Sequence, residues 1–186
     1  MLTGRRVPGR RVAVIGAGGI GFDVAEFLLG DHRESLDPEA FLRAWSVDEG
    51  LLTDGGLTGP PRGEGADTGR HVTMLQRKTE RLGSGLGKST GWILKARLRQ
   101  AGVELVPGVT YEEVTAAGLR YSVDGVSRLL EVDTIVLCAG QESERRLYAE
   151  VTPLGIPTDI IGGADFAAEL DAVRAIDQAT RLAVAL

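Results

Sequence analysis

The clearest chemistry in this chain lies in three glycines near its start. Gly16, Gly18 and Gly21 sit in VAVIGAGGIGFDVAEFLL with the spacing G-x-G-x-x-G, after a short β-branched run and before an amphipathic segment. The first glycine of such a set permits a tight strand-to-helix turn. The second lets the backbone approach a pyrophosphate, and the third lets the helix pack closely on the strand. Gly19 adds a further position without a side chain at the expected helix start. A helix N-terminus contributes free amides and the positive end of its dipole to an anion. Strand, glycine turn and helix in this order predict a dinucleotide site.

The residues at the end of the second strand indicate which dinucleotide. The best second strand is HVTMLQRK, and it ends in Gln76, Arg77 and Lys78. A site for the non-phosphorylated cofactor usually places Asp or Glu there, to accept from the ribose 2′-hydroxyl. Here Arg77, Lys78, Arg81 and Lys88 face a single acid, Glu80, between positions 76 and 88. Guanidinium and ammonium groups suit a 2′-phosphate through charge-assisted hydrogen bonds. NADPH is therefore the expected cofactor. The following RLGSGLGKST resembles an ATPase phosphate loop, but that pattern needs glycine at position 82, and Leu82 stands there. We read it as a loop for the cofactor's ribose phosphate, with Lys88 adding charge and Ser89 or Thr90 starting the next helix.

Other chemistries are poorly supported. The net charge of −5 gives no general case for nucleic acid or an acidic membrane. A single cysteine, Cys138, excludes an internal disulfide, and two separated histidines, His32 and His71, argue against a metal site. No apolar run approaches the about 20 residues of a membrane span. The chain reads as soluble and cytoplasmic. No nucleophile or acid–base pair stands out, so no catalytic residue is expected in this chain. Cys138 is expected to be a small buried hydrophobe, and Trp45 and Trp92 packing anchors.

These residues need an α/β framework. The first helix is expected to bury Val24, Phe27 and Leu28. Residues 30–70 read as an insertion containing one helix, DPEAFLRAW, with Asp37 as N-cap and Pro38 in its first turn. The stretch from Thr53 to Arg70 has six glycines and two prolines in 18 residues, and it reads as a mobile loop. A helix over about 89–101 and a short strand in GVELVPG follow. A β-meander comes next, with turns at Ala117-Gly118 and Asp124-Gly125. DTIVLCAGQE reads as a buried parallel strand running to Gly140, which with Gln141 completes the expected cofactor edge. The tail TDIIGGADFAAELDAVRAIDQATRLAVAL reads as strand, glycine turn and helix. The fold class is α/β, with a Rossmann-like, mostly parallel sheet.

Several stretches together are more specific than the glycines. VAVIGAGGIGFDVAEFL, MLQRKTERLGSGLGKSTGW, GVELVPGVTYEEV, VDTIVLCAGQE and IGGADFAAELDAVRAIDQATRLA resemble the C-terminal part of bacterial NADPH-dependent 2,4-dienoyl-CoA reductases. These are multi-flavin enzymes related to Old Yellow Enzyme, and the resemblance covers almost the whole chain. It implies an N-terminal barrel with FMN, a cysteine-bound iron–sulfur cluster, and an FAD domain into which an NADPH domain is inserted. Electrons would run from NADPH to FAD, the cluster, FMN and then the dienoyl-CoA of unsaturated fatty acid β-oxidation. Residues 1–150 would be the NADPH domain and residues 151–186 the C-terminal segment of the FAD domain. Gly163 and Asp165 would match an FAD-contacting Gly-x-Asp segment, and Arg77 and Lys78 the 2′-phosphate contacts. The chain lacks the barrel, the cluster cysteines and the first FAD half, so it is expected to be a piece of a longer protein. It should bind NADPH but hold FAD poorly. The missing halves of the parent would be its partners, and Leu170, Val173 and Ile176 would favour self-association. Another multi-flavin ene-reductase, an amine dehydrogenase, or a standalone NADP(H)-binding module without catalysis are the alternatives.

Overall fold

The computed structural model describes residues 4–30, 36–59, 69–168 and 170–186. These fall into two compact units that divide between Ala139 and Gly140.

The first unit is built on strand β1 (Arg11–Ile15), whose Val12, Ala13 and Val14 are wholly buried. Strands β2 (His71–Leu75), β3 (Glu104–Val106) and β7 (Thr134–Leu137) join it in a parallel sheet of order β3-β2-β1-β7. A central parallel strand is covered on both faces, which explains why RVAVI is apolar rather than alternating. Side-chain alternation sends the two sets of residues to different cores. Val12, Val14, Val72 and Met74 pack under helices α1 (Gly19–Leu29) and α3 (Gly91–Gln100), with Phe22, Leu28 and Leu98. Ala13, Ile15 and Leu75 pack on the opposite side with Val109, Leu119, Tyr121 and Val132. These belong to or flank the antiparallel meander β4 (Val109–Thr115), β5 (Gly118–Val123) and β6 (Val126–Leu130). Both expected meander turns are present. Full burial of a side chain the size of Phe22 or Met74 contributes about 1.5–3 kcal/mol.

Several expectations need correction. Phe27 is 41% exposed, and Phe22 takes the core position instead. Strand β7 stops at Leu137 rather than Gly140 and is only half-buried, because it is an edge strand with β1 on one side. Trp92 is 62% exposed and anchors nothing; its indole N–H donates to Ser89 O at 3.0 Å. Helix α3 begins at Gly91, with Thr90 as a cap residue whose side chain makes no capping bond.

The insertion helix α2 (Pro38–Ala44) forms as expected, with the Asp37 side chain accepting from Ala40 N at 3.1 Å. Trp45 joins it to the body of the unit. The Arg97 guanidinium lies 5.7 Å from its ring centre and pairs with Glu26 of α1 at 2.7 Å. The chain after α2 is more ordered than its composition suggests. Asp48 Oδ1 accepts from Gly50 N, and Oδ2 accepts from Leu52 N, Thr53 N and Thr53 Oγ1 at 2.6–2.8 Å. Thr58 N reaches Ser46 O, and Val47 bridges Leu57. Residues 60–68 of the expected loop lie outside the described residues.

The hydroxyl of Thr53, its amide, and the amides of Leu52 and Gly50 hold the Asp48 carboxyl below its ordinary range. Its contribution is therefore complete above the unfolded-state pKa of about 3.9. It is lost as pH falls through the lower folded value. Asp48→Asn should loosen this loop at neutral pH, because an amide nitrogen would face backbone donors. Hydrogen exchange at Leu52 and Thr53 should rise several-fold in the variant. In the native chain the same rise should begin only below about pH 4.

The second unit contains a helix that the sequence reading did not anticipate, α4 (Arg146–Val151), and the long helix α5 (Ala172–Ala185), capped by Asp171. The strand expected at Thr158–Ile161 does not form. Among the described residues, this unit has no strand to take its amides and carbonyls. Polar links knit the unit instead. Gln178 accepts from Gly162 N and donates to Asp165 Oδ2, both at 2.7 Å. Arg174 donates to Phe166 O and Ala168 O. No residue of α5 is buried, and Val173, Ile176 and Val184 are largely exposed.

Candidate functional site

The carboxyl edge of the parallel sheet is where open α/β folds place ligands, and the glycine turn is there. Gly16 follows β1 and donates its amide to Leu75 O at 2.9 Å. Its φ is +108°, and a Cβ on it would lie 2.5 Å from Cys138 O. The turn is wedged between the ends of β2 and β7, so only glycine fits. Gly21 lies in the first turn of α1, where a Cβ would come within 2.0 Å of Gly16 O. Both glycines are required by the fold itself.

Gly18 and Gly19 differ. Gly18 has an ordinary extended backbone, φ −80° and ψ −177°, and caps α1 without any side-chain bond. A Cβ at Gly18 or at Gly19 would meet no atom within 4 Å. Neither conformation nor packing within the chain calls for glycine at these two positions. They leave a bare helix N-terminus facing open space, with no acid in the first turn. An anionic group brought close to backbone amides fits that arrangement.

Beside the turn, Arg77 and Lys78 follow β2 after Gln76 and are exposed, as are Arg81 and Lys88. Arg77 makes no ion pair among the described residues. Its charge lies near Tyr111, whose hydroxyl donates to Leu75 O at 3.1 Å. Burial pushes that phenol up, and Arg77 pulls it partly back. Gln76 carries the turn beyond β2: its side-chain amide donates to Lys78 O at 3.0 Å and to Glu80 O.

The loop RLGSGLGKST is pinned rather than loose. Leu82 is buried, Leu86 packs on the same core, and Gly83 takes a φ of +73° with Phe22 Cζ only 2.8 Å from a Cβ. Gly85, like Gly18, would meet nothing within 4 Å. Lys88 is exposed just ahead of α3. A cavity of about 360 Å³ between α1 and α3 is lined by Asp23, Glu26, Leu86, Arg97 and neighbours, but by none of the fingerprint glycines.

Gly140 and Gln141 are exposed and open the second unit. In that unit Asp165 accepts from Gln178, and its other carboxylate oxygen lies 3.8 Å from Arg145. A Cβ on the neighbouring Gly163 would lie 3.2 Å from Leu170 Cδ2. Cys138 is half-buried, and burial raises its thiol pKa, away from nucleophilic reactivity. Among the described residues no cluster of His, Cys, Asp and Glu could hold a metal ion, and no helix is long and apolar enough to cross a membrane. The sequence reading gave Gln76 no role beyond its place at the strand end and passed over Asp48. Both act by bonding to backbone a few residues away, and only a turn-forming carboxylate near glycine, as in Asp48-Glu49-Gly50, hinted at either.

Comparison with known proteins gives the family and the fold. The sequence model for pyridine nucleotide-disulphide oxidoreductases matches residues 2–171. A metal reductase of Desulforamulus reducens is 26% identical over 171 residues, covering 88% of this chain and 23% of that protein. Among solved structures, a 2-naphthoyl-CoA reductase in complex with 2-naphthoyl-CoA superposes with TM-score 0.63 at 18% identity, covering 95% of this chain and 21% of its own. The 6-hydroxypseudooxynicotine amine oxidase of Pseudomonas geniculata N1 gives 0.62 at 20% identity, covering 96% and 22%. Histamine dehydrogenase of Rhizobium sp. 4-9 gives 0.61 at 16%, covering 96% and 23%. The structural likenesses show a shared fold, and the chain spans less than a quarter of each of these proteins. Family match and fold together make the chain a member of the pyridine nucleotide-disulphide oxidoreductases, a flavin- and NAD(P)-dependent oxidoreductase domain.

Proposed function

We propose that this chain is the NADPH-binding, electron-input part of a larger multi-flavin reductase of the 2,4-dienoyl-CoA reductase type. The observation that carries the reading is the pairing of an open glycine cradle at Gly18 and Gly19 with the basic strand end at Arg77 and Lys78. The amides at the start of α1 would receive the pyrophosphate. Arg77 and Lys78 would receive the 2′-phosphate, with Lys88 adding charge. Bound NADPH supplies a hydride, and in the parent the acceptor would be FAD. Gly163 and Asp165 would contribute the FAD edge. FMN, an iron–sulfur cluster and the site for the unsaturated acyl-CoA would lie in the rest of the parent. The fold likeness to a CoA-ester reductase supports that substrate class. The likeness to two amine-oxidising enzymes supports a second reading, in which the parent acts on an amine.

Titration of the chain with NADPH, NADH and FAD, followed by nicotinamide and flavin fluorescence, tests the proposal. NADPH should bind at least tenfold tighter than NADH, a difference of about 1.4 kcal/mol. FAD should bind weakly, since most of its site lies elsewhere. Equal affinity for the two nicotinamides would remove the 2′-phosphate assignment. Absence of binding by either would overturn the proposal.

A further inference from the structure

We propose that Gln76 is a positioning residue that sets the preference for a 2′-phosphorylated cofactor. It does so by holding the turn that presents Arg77 and Lys78. The inference rests on reading those two residues as the phosphate contacts.

Every polar group of Gln76 with a described partner works on the same corner. Its backbone amide donates to Val106 O at 3.1 Å, and its carbonyl accepts from Val109 N at 3.0 Å. These bonds fix the strand end against β3 and the start of β4. Its side-chain amide reaches forward to Lys78 O and Glu80 O. A carboxamide nitrogen carries two N–H donors, and here each has one carbonyl. Lys78 O also accepts from Gly108 N at 3.0 Å, so that carbonyl is held from two sides. With the peptide groups on either side of Arg77 and Lys78 fixed, the directions of both Cα–Cβ bonds are set. The two long side chains then lose less freedom when an anion binds, which is how preorganisation raises affinity.

The chemistry at position 76 is selective in a second way. A carboxylate is acceptor-only and would face two carbonyl oxygens. The turn therefore disfavours, at this position, the acid that a site for the non-phosphorylated cofactor employs. Gln76 would exclude the wrong residue type and organise the right ones.

The test measures NADPH and NADH affinity for the native chain and for Gln76→Met, which keeps the length and removes both donors. The NADPH to NADH affinity ratio should fall at least tenfold in the variant, with NADH affinity within about twofold of native. An unchanged ratio would overturn the inference. So would an equal fall for both nucleotides, which is what a purely structural role gives. If Gln76→Met does not fold, Gln76→Ala, which removes both donors without adding a charge, carries the same comparison. Absence of an NADPH preference in the native chain is a separate outcome: the functional reading then fails, and the inference with it.

Discussion

Gly18→Ser should leave the chain slightly more stable and nearly unable to bind NADPH. The backbone at Gly18 already has the extended conformation of a helix N-cap, and α1 lacks a capping side chain. A serine hydroxyl there can accept from an amide of the first turn and is worth a few tenths of a kcal/mol over glycine. Its side chain meets no protein atom, since a Cβ there has nothing within 4 Å. It fills the space assigned to the pyrophosphate, so NADPH affinity should fall about a hundredfold, near 2.7 kcal/mol. Gly21→Val is the opposite case. Its Cβ would meet Gly16 O at 2.0 Å, and backbone cannot give way cheaply. Overpacking of this kind costs about 3 kcal/mol, which lowers Tm by roughly 10 °C for a chain of this size. Thermal melts and nucleotide titrations of the two variants separate them. A destabilised Gly18→Ser, or one that binds normally, contradicts the division of the glycines into structural and ligand-facing pairs.

The second large effect is expected at Arg77. Arg77→Ala removes a guanidinium without an ion-pair partner among the described residues, so folding stability should change by less than about 0.5 kcal/mol. A charge-assisted hydrogen bond contributes about 1.5–3 kcal/mol. NADPH affinity should accordingly fall about tenfold to a hundredfold, while NADH affinity stays unchanged. The native preference should also shrink as salt is added, since the contact is exposed and screened. Calorimetric titration at two ionic strengths reads both effects. An equal loss for the two nucleotides would mean that Arg77 supports the site without touching the phosphate.

The sequence announced those features that depend on local pattern. The β-branched run before Gly16, the insertion helix capped by Asp37 and the meander turn at Asp124-Gly125 each follow from neighbouring residues, and each is present. Features set by distant partners were not legible. Phe22 and Phe27 both fit a helical stripe, and only the position of the sheet decides that Phe22 is inside. The glycine-rich stretch after Asp48 read as structureless because composition does not show that one carboxylate can organise four donors. The tail strand failed for a related reason: an extended segment becomes a strand only beside another. At the site, the motif located the glycines but did not separate Gly16 and Gly21, which the fold requires, from Gly18 and Gly19, which it does not. That distinction needed the distances to surrounding atoms.

NADPH is expected to lie across the start of α1 with its 2′-phosphate at the end of β2. Amide chemical-shift mapping of the isotopically labelled chain during an NADPH titration tests it most directly. The largest shifts should fall at Gly18, Gly19, Arg77 and Lys78, with the last two much reduced when NADH replaces NADPH. Shifts confined to other surfaces, or an unchanged spectrum at saturating NADPH, would contradict it.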